Sequence, residues 1–214
     1  MAIIQQIRTA QSQSRKLLAL LIDPEKQSSV QALRPYLSLP DLIFVGGSTG
    51  NHCEACVTEI KQLKLHTTRP IVLFPGNIAQ FTAKADALLF LSVLTSRLPQ
   101  LLIEPHIQMA TTILHSGVET IPMGYLLIDG GRKSSVEIAT NTQPVPQTDI
   151  PTIVQTAVAG QLLGKQLIYL EAGSGAKMPV SSDIISAVRE QLQVPLIVGG
   201  GIRTPEAMIR AFDA

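Results

Sequence analysis

Short unbroken apolar runs recur along the chain, most of them closed by Gly, Pro, Asp or Asn. Strands are predicted at Leu17–Ile22, Leu42–Val45, Ile71–Phe74, Ala87–Leu91, Tyr125–Ile128, Leu167–Leu170 and Leu196–Val198. None alternates apolar with polar positions, which is the pattern of parallel strands covered on both faces. Between them lie segments with helical spacing: Val30–Leu37, His52–Leu65, Gln100–Ser116, Ile150–Gly164, Ser182–Leu192 and Pro205–Phe212. Asp149 is placed to cap the fourth of these, and Thr204 before Pro205 reads as an N-cap followed by a first-turn proline. Strand followed by helix, over and over, predicts an α/β fold with a parallel sheet.

Seven predicted strands are one short of a (β/α)₈ barrel, and the sequence stops at Asp213–Ala214 in or just past a helical segment. The expectation is one modified TIM-barrel domain over residues 1–214, with the final strand missing from this chain. No Pro/Ser-rich linker divides it and no repeat is evident. Two connections break the rhythm. Pro75–Asp86, twelve residues, leaves little room for a helix with both its loops, so a shortened third connection is expected. Gly130–Thr148 is polar, holds Pro144 and Pro146, and has no periodicity; long loops of this kind often act as lids.

Composition narrows the function. Lys plus Arg number 17 and Asp plus Glu 16, a net charge of +1, so no charge excess marks a nucleic-acid surface. Charged residues are only 15% and hydrophobic ones 45%, which argues for a large core, an apolar groove or an interface. No apolar run approaches the roughly 18–20 residues of a membrane span, and Met1–Lys16 lacks a signal-peptide core. The expectation is a cytoplasmic protein. Cys53 and Cys56 match C-x-x-C, but no second pair completes a zinc site. They fall on a predicted helix rather than at a redox-active turn, so they read as incidental. His66, His106 and His115 are scattered and read as structural or surface residues.

In parallel α/β folds ligands bind at the carboxyl ends of strands. Here those ends carry Asp23, Gly46-Gly47-Ser48-Thr49, Pro75-Gly76-Asn77, Asp129-Gly130-Gly131, Glu171-Ala172-Gly173-Ser174-Gly175 and Gly199-Gly200-Gly201. A glycine turn alone has a bland explanation. Two glycine turns before helical segments, at the last two strands, point to a phosphate cradled by backbone N–H groups. Neither a P-loop nor a Rossmann glycine pattern occurs. Asp23 with Ser48 suggests a Mg²⁺ site, since that ion takes few protein oxygens and completes its shell with water and phosphate; alternatively Asp23 caps a helix. Glu171 is the carboxylate beside the glycine-rich turn. It can accept a proton from a substrate hydroxyl, or it can pair with Lys177 or Arg203.

The run Tyr169-Leu170-Glu171-Ala172-Gly173-Ser174-Gly175-Ala176 resembles the signature of the geranylgeranylglyceryl phosphate synthase family, which includes the bacterial heptaprenylglyceryl phosphate synthases. So do Leu21–Lys26, Val45–Thr49, Leu73–Asn77, Tyr125–Gly131, Thr140–Pro146 and Ile197–Arg203. The similarity spans nearly the whole chain and is strongest to the archaeal and Bacteroidetes-type branch. It implies a modified TIM barrel and Mg²⁺-dependent transfer of a polyprenyl group, such as geranylgeranyl, from its diphosphate to the 3-hydroxyl of sn-glycerol 1-phosphate. The product is an ether-lipid precursor. By position, Asp23 and Ser48 become the metal residues. Tyr169, Leu170, Glu171, Ala172, Gly173, Ser174, Gly175, Gly200 and Gly201 become the glycerol phosphate site, with Glu171 catalytic. Contact with a membrane through the lipid product, and a homo-oligomer, are further expectations. Two rivals remain: a sugar-phosphate isomerase or aldolase on the same fold, with Glu171 as carbon-acid base and no need of the diphosphate-binding metal, and a non-catalytic prenyl-lipid binding barrel, which has no reason to keep Asp23 and Glu171 together.

Overall fold

The computed structural model describes residues 1–25, 30–47 and 53–214. In chain order its elements are α1 (Ile3–Ser12), β1 (Ala19–Ile22), α2 (Val30–Leu33), β2 (Leu42–Val45), α3 (Cys53–Lys64), β3 (Ile71–Leu73), β4 (Ala87–Val93), α4 (Pro99–Leu102), α5 (Glu104–Ser116), β5 (Glu119–Leu127), α6 (Ser135–Thr140), α7 (Ile150–Leu162), β6 (Leu167–Glu171), α8 (Ser182–Gln191), β7 (Leu196–Gly199) and α9 (Pro205–Asp213). The strands pair in chain order, and every described register between them is parallel. All seven predicted strands are present; β5 begins six residues earlier than its apolar run, at Glu119. The chain forms two compact units: Met1–Phe90 with Pro105–Ile121, and Leu91–Glu104 with Pro122–Ala214.

In the first unit, β1, β2 and β3 and the start of β4 carry a core of Ile22, Ile43, Val45, Ile71, Leu73 and Leu88, against Cys56, Ile60 and Leu63 of α3. Ile43, Ile60, Leu63, Ile71 and Leu73 are fully shielded. Burying an aliphatic side chain of this kind stabilises the fold by about 1.5–3 kcal/mol. The helix α1 is absent from the sequence expectation. It buries Ile3, Ile7 and Ala10, and it lacks a local cap. Its first N–H groups, those of Ile3 and Ile4, donate instead to the Glu119 carboxylate at 2.6 and 2.8 Å. The expected helix Val30–Leu37 is one helical turn followed by a 3₁₀ turn at Arg34–Tyr36, where Pro35 lies. The third connection is short, as expected: its one helical feature is a 3₁₀ turn, Ile78–Gln80.

In the second unit, Leu126, Ile128, Ile168 and Leu170 pack against Ile153 and Ala157 of α7 and Ile184, Ile185 and Val188 of α8. Asp149 and Thr204 cap α7 and α9 as predicted, accepting from the N–H groups of Thr152 and Ala207 at 3.2 Å each. The expected helix Gln100–Ser116 is interrupted at Ile103, giving α4 and α5. Gly130–Thr148 is not structureless. Ser134 and Glu137 form a reciprocal capping box that starts α6. The chain then returns beside β5, with Val145 N–H donating to Leu127 O and Asp129 N–H donating to Val145 O, both at 2.9 Å.

Candidate active site

The strand end at Glu171 is the most completely built of the sites expected from sequence. Successive strand residues face opposite ways, so Ile168, Leu170 and Ala172 lie in the helix-packed core while Tyr169 and Glu171 share the other face. Leu170 and Ala172, expected at the glycerol phosphate site, therefore offer their backbone rather than their side chains. The Glu171 carboxylate is buried at 7% exposure. Its Oε2 accepts from the Tyr169 hydroxyl at 2.5 Å, and its Oε1 accepts from the Gly173 N–H at 2.7 Å. Among the described residues no cation pairs with it; Lys177 and Arg203 are exposed and make no ion pair with it. The salt-bridge alternative for Glu171 is thereby removed.

Burial pushes the Glu171 carboxyl above its ordinary value, and the hydrogen bonds from Tyr169 and Gly173 only partly oppose this. The Tyr169 phenol is held well above its ordinary range, first by burial and then by the negative field of Glu171, so it stays a donor at neutral pH. Tyr125 packs on it with ring centroids 5.4 Å apart, and its phenol is raised by the same causes. The aromatic pair walls off one side of the carboxylate from water.

The β6 and β7 turns are joined by Ala172 N–H donating to Gly199 O at 3.0 Å. Gly200 has φ +80°, and a Cβ there would stand 2.6 Å from the Gly173 nitrogen and overlap Glu171 Oε1. Only glycine lets this backbone approach the carboxylate. Gly173 and Gly175 also take positive φ, and Gly173 O accepts from Ala176 N–H at 3.1 Å, closing the turn. Thus Tyr169, Glu171, Gly173 and Gly200 are brought together, with Ser174 and Gly175 next to them in the same turn. Gly201 lies against the backbone of Met178 and Pro179.

Asp23 follows β1 in the first unit. Its Oδ1 accepts from the Glu25 N–H at 3.1 Å, which holds the carboxylate in a tight local turn. Gly47 lies under it, where a Cβ would fall 2.5 Å from Oδ1. Gln80 ties this strand end to the next one, donating to Gly47 O at 3.0 Å and accepting from Gly76 N–H at 2.8 Å. Ser48, the other expected metal residue, lies outside the described residues. Nearby, burial pushes the Cys56 thiol up to about 11, with the fields of Asp23, Cys53, Glu25 and Glu59 adding to it. A thiol shifted that way is not a nucleophile, in accord with the incidental reading of C-x-x-C.

A model of the PcrB family matches residues 10–214. The chain belongs to the PcrB family. Curated relatives that it resembles are the geranylgeranylglyceryl phosphate synthase of Zunongwangia profunda and that of Thermococcus gammatolerans. The first is 46% identical over 99% of this chain and 92% of the relative. The second is 39% identical over 90% and 75%. Among solved structures, wild-type GGGPS from Thermoplasma volcanium superposes with a TM-score of 0.89 at 33% identity, covering 99% of this chain and 85% of that one. The (S)-3-O-geranylgeranylglyceryl phosphate synthase of Thermoplasma acidophilum, in complex with its substrate sn-glycerol-1-phosphate, gives 0.90 at 31% identity, covering 99% and 86%. This PcrB-family chain shares their fold, and the α/β class of modified TIM-barrel type expected from sequence holds.

Proposed function

We propose that this chain is a geranylgeranylglyceryl phosphate synthase: it joins a polyprenyl group, from its diphosphate, to the 3-hydroxyl of sn-glycerol 1-phosphate. The observation that carries the reading is the buried Glu171 carboxylate, fixed by Tyr169 and Gly173 beside Gly200. It stands in a chain alike over 99% of its length to a synthase solved with that glycerol phosphate. With the Gly173 N–H committed to Glu171, the phosphate is received on the backbone N–H groups that follow it in the turn, at Gly175, and on those of Gly200 and Gly201. That places the far hydroxyl near Glu171.

Glu171 then removes the hydroxyl proton as the oxygen attacks the first carbon of the prenyl chain. A carbon–oxygen bond forms, the bond from that carbon to the diphosphate breaks, and diphosphate leaves. The raised affinity of Glu171 for a proton makes it a better base than an exposed carboxylate. Tyr169 keeps the carboxylate in one orientation throughout.

The Asp23 corner fits Mg²⁺: a hard oxygen donor, fixed in place, over a glycine that keeps the space beside it free of a side chain. Asp23 would hold the ion, with Ser48 as the second residue expected from sequence. Bound there, magnesium supplies positive charge that makes diphosphate a better leaving group. The short third connection supports a route for the tail. Ile107 and Leu114, seven residues apart on α5 and exposed at 68% and 76%, support self-association. The protein is expected to act in the cytoplasm; no helix of the described residues is long and apolar enough to cross a membrane.

The test is incubation of the protein with radiolabelled sn-glycerol 1-phosphate, Mg²⁺ and prenyl diphosphates of several lengths. Label in an organic-extractable ether product, with diphosphate release matching it, is the expected result. Release of diphosphate without labelled lipid, or no turnover at any length, would refute the proposal.

A further inference from the structure

The loop after β5 meets the turn after β6 at two points, Gly130 and Ser134. Gly130 O accepts from the N–H groups of Lys177 and Met178 at 2.9 and 3.1 Å. Gly131 N–H donates to Asp129 Oδ1 at 2.8 Å, and Ser134 packs on Gly173, where a Cβ would meet its Oγ at 3.1 Å. Arg132 lies in sequence between these anchors. Its Nη1 is 3.9 Å from the point where a Cβ on Gly175 would stand. The guanidinium is exposed, and among the described residues no carboxylate takes it. An unpaired guanidinium held over a glycine turn, on the same strand end as a buried carboxylate, has an electrostatic reason to be there. A phosphate brought next to Glu171 meets a like charge, and a cation on the far side of the phosphate offsets it.

We infer that Arg132 is a binding residue for the phosphate of the small substrate, its planar fork closing over a phosphate seated on the Gly173–Gly175 turn. The inference rests on the reading of that turn as the glycerol phosphate site, and it adds a residue that makes the site selective for a phosphate ester over a neutral polyol. Arginine suits the task because two parallel N–H groups can meet two phosphate oxygens, which a lysine ammonium cannot do.

Calorimetric binding of sn-glycerol 1-phosphate, and its KM, are measured on wild type, Arg132→Ala, Arg132→Lys and Lys133→Ala. Arg132→Ala is expected to raise Kd and KM for the glycerol phosphate by about tenfold to thirtyfold, the low end for charged hydrogen bonds at an exposed site. The KM for prenyl diphosphate, kcat at saturation and the melting temperature should stay near wild type. Arg132→Lys should fall between. Binding by wild type should weaken with added salt more steeply than binding by Arg132→Ala. Equal affinity in Arg132→Ala, or an equal loss in Lys133→Ala that would mean only a diffuse field, overturns the inference and leaves the proposed activity standing. A wild type that neither binds nor consumes sn-glycerol 1-phosphate overturns both.

Discussion

Replacing Glu171 by glutamine isolates the proton-accepting role, because the amide keeps the shape of the group. Two donors face the carboxylate, the Tyr169 hydroxyl and the Gly173 N–H. The backbone donor cannot turn, so the amide oxygen should face Gly173 and its NH₂ should face Tyr169, whose hydroxyl can rotate to accept. Both bonds survive but lose their charge assistance, a cost of about one ordinary hydrogen bond, ~0.5–1.5 kcal/mol. Against this, a charge no longer has to be buried. The melting temperature should therefore move by no more than a few degrees, at about 2–4 °C per kcal/mol for a chain of this size. The rate is a different matter. A positioned general base contributes about 10²–10⁴-fold, so kcat should fall at least roughly a hundredfold, near 2.7 kcal/mol, with glycerol phosphate affinity largely kept. The pH dependence gives a second readout. The folded-state pKa lies above the ordinary 4.5, so the wild-type rate should drop as pH falls through that raised value, and Glu171→Gln should lose this acid limb. Stability runs the other way. Between 4.5 and the raised value the native protein holds a proton that the unfolded chain has released. The wild type therefore loses stability as pH rises through that window, and the glutamine variant should not. Rapid-quench kinetics, calorimetry and thermal melts on one preparation settle it. A kcat within tenfold of wild type would refute the base assignment, as would an acid limb that persists in the variant.

Three further outcomes are expected. Asp23→Asn keeps the oxygen that accepts from Glu25, so its melting temperature should hold while the Mg²⁺ concentration for half-maximal rate rises several-fold; unchanged activity at limiting Mg²⁺ counts against the metal assignment. Gly200→Ala places a methyl group on a backbone at φ +80° and against Glu171, costing about 1–3 kcal/mol, so both stability and kcat should fall; a fully active variant would show that the turn tolerates displacement. Gln80→Leu removes both bonds that join the Gly47 and Gly76 turns, each leaving a partly buried backbone group unpaired. A loss of about 1–3 kcal/mol in denaturant unfolding is expected, and an unchanged midpoint would mean water takes over both roles.

The strands were legible because each carries a bare apolar run; β2, β3 and β6 are buried on both faces as that pattern implies, whereas β1 and β7 are only partly covered. The same reading missed α1. Ile3, Ile7 and Ala10 have helical spacing, yet the group that starts the helix is Glu119, 116 residues away, so no start signal is local. It also missed α6, although Ser134-x-x-Glu137 was a readable capping box; the polar loop around it has no apolar stripe to draw attention. At the site, the period of two along β6 was enough to put Tyr169 with Glu171, and the glycine turns announced themselves. What sequence could not supply was the pairing across turns: Gly200 against Glu171, and Arg132 over Gly175. Those depend on how strand ends converge, which no spacing along one segment encodes.

The return of Val145 to the side of β5 has a consequence for how this protein can change. Gln147 clamps the returning chain, donating to Asp129 O and Pro179 O and accepting from Ser181 N–H, at 2.9, 3.1 and 3.0 Å. Everything between Gly131 and Pro144 therefore leaves and re-enters at fixed points, like a cassette in a holder. Doubling the length of a flexible closed excursion costs only about 0.6 kcal/mol in chain entropy, so changes that spare the buried Ser134 and Thr142 leave the register of the strands undisturbed. Exchanging residues 131–144 between relatives would transplant the rim around the β6 turn as one piece. That makes this excursion the natural place for evolution, or a designer, to alter which headgroup the enzyme accepts while Tyr169 and Glu171 stay as they are.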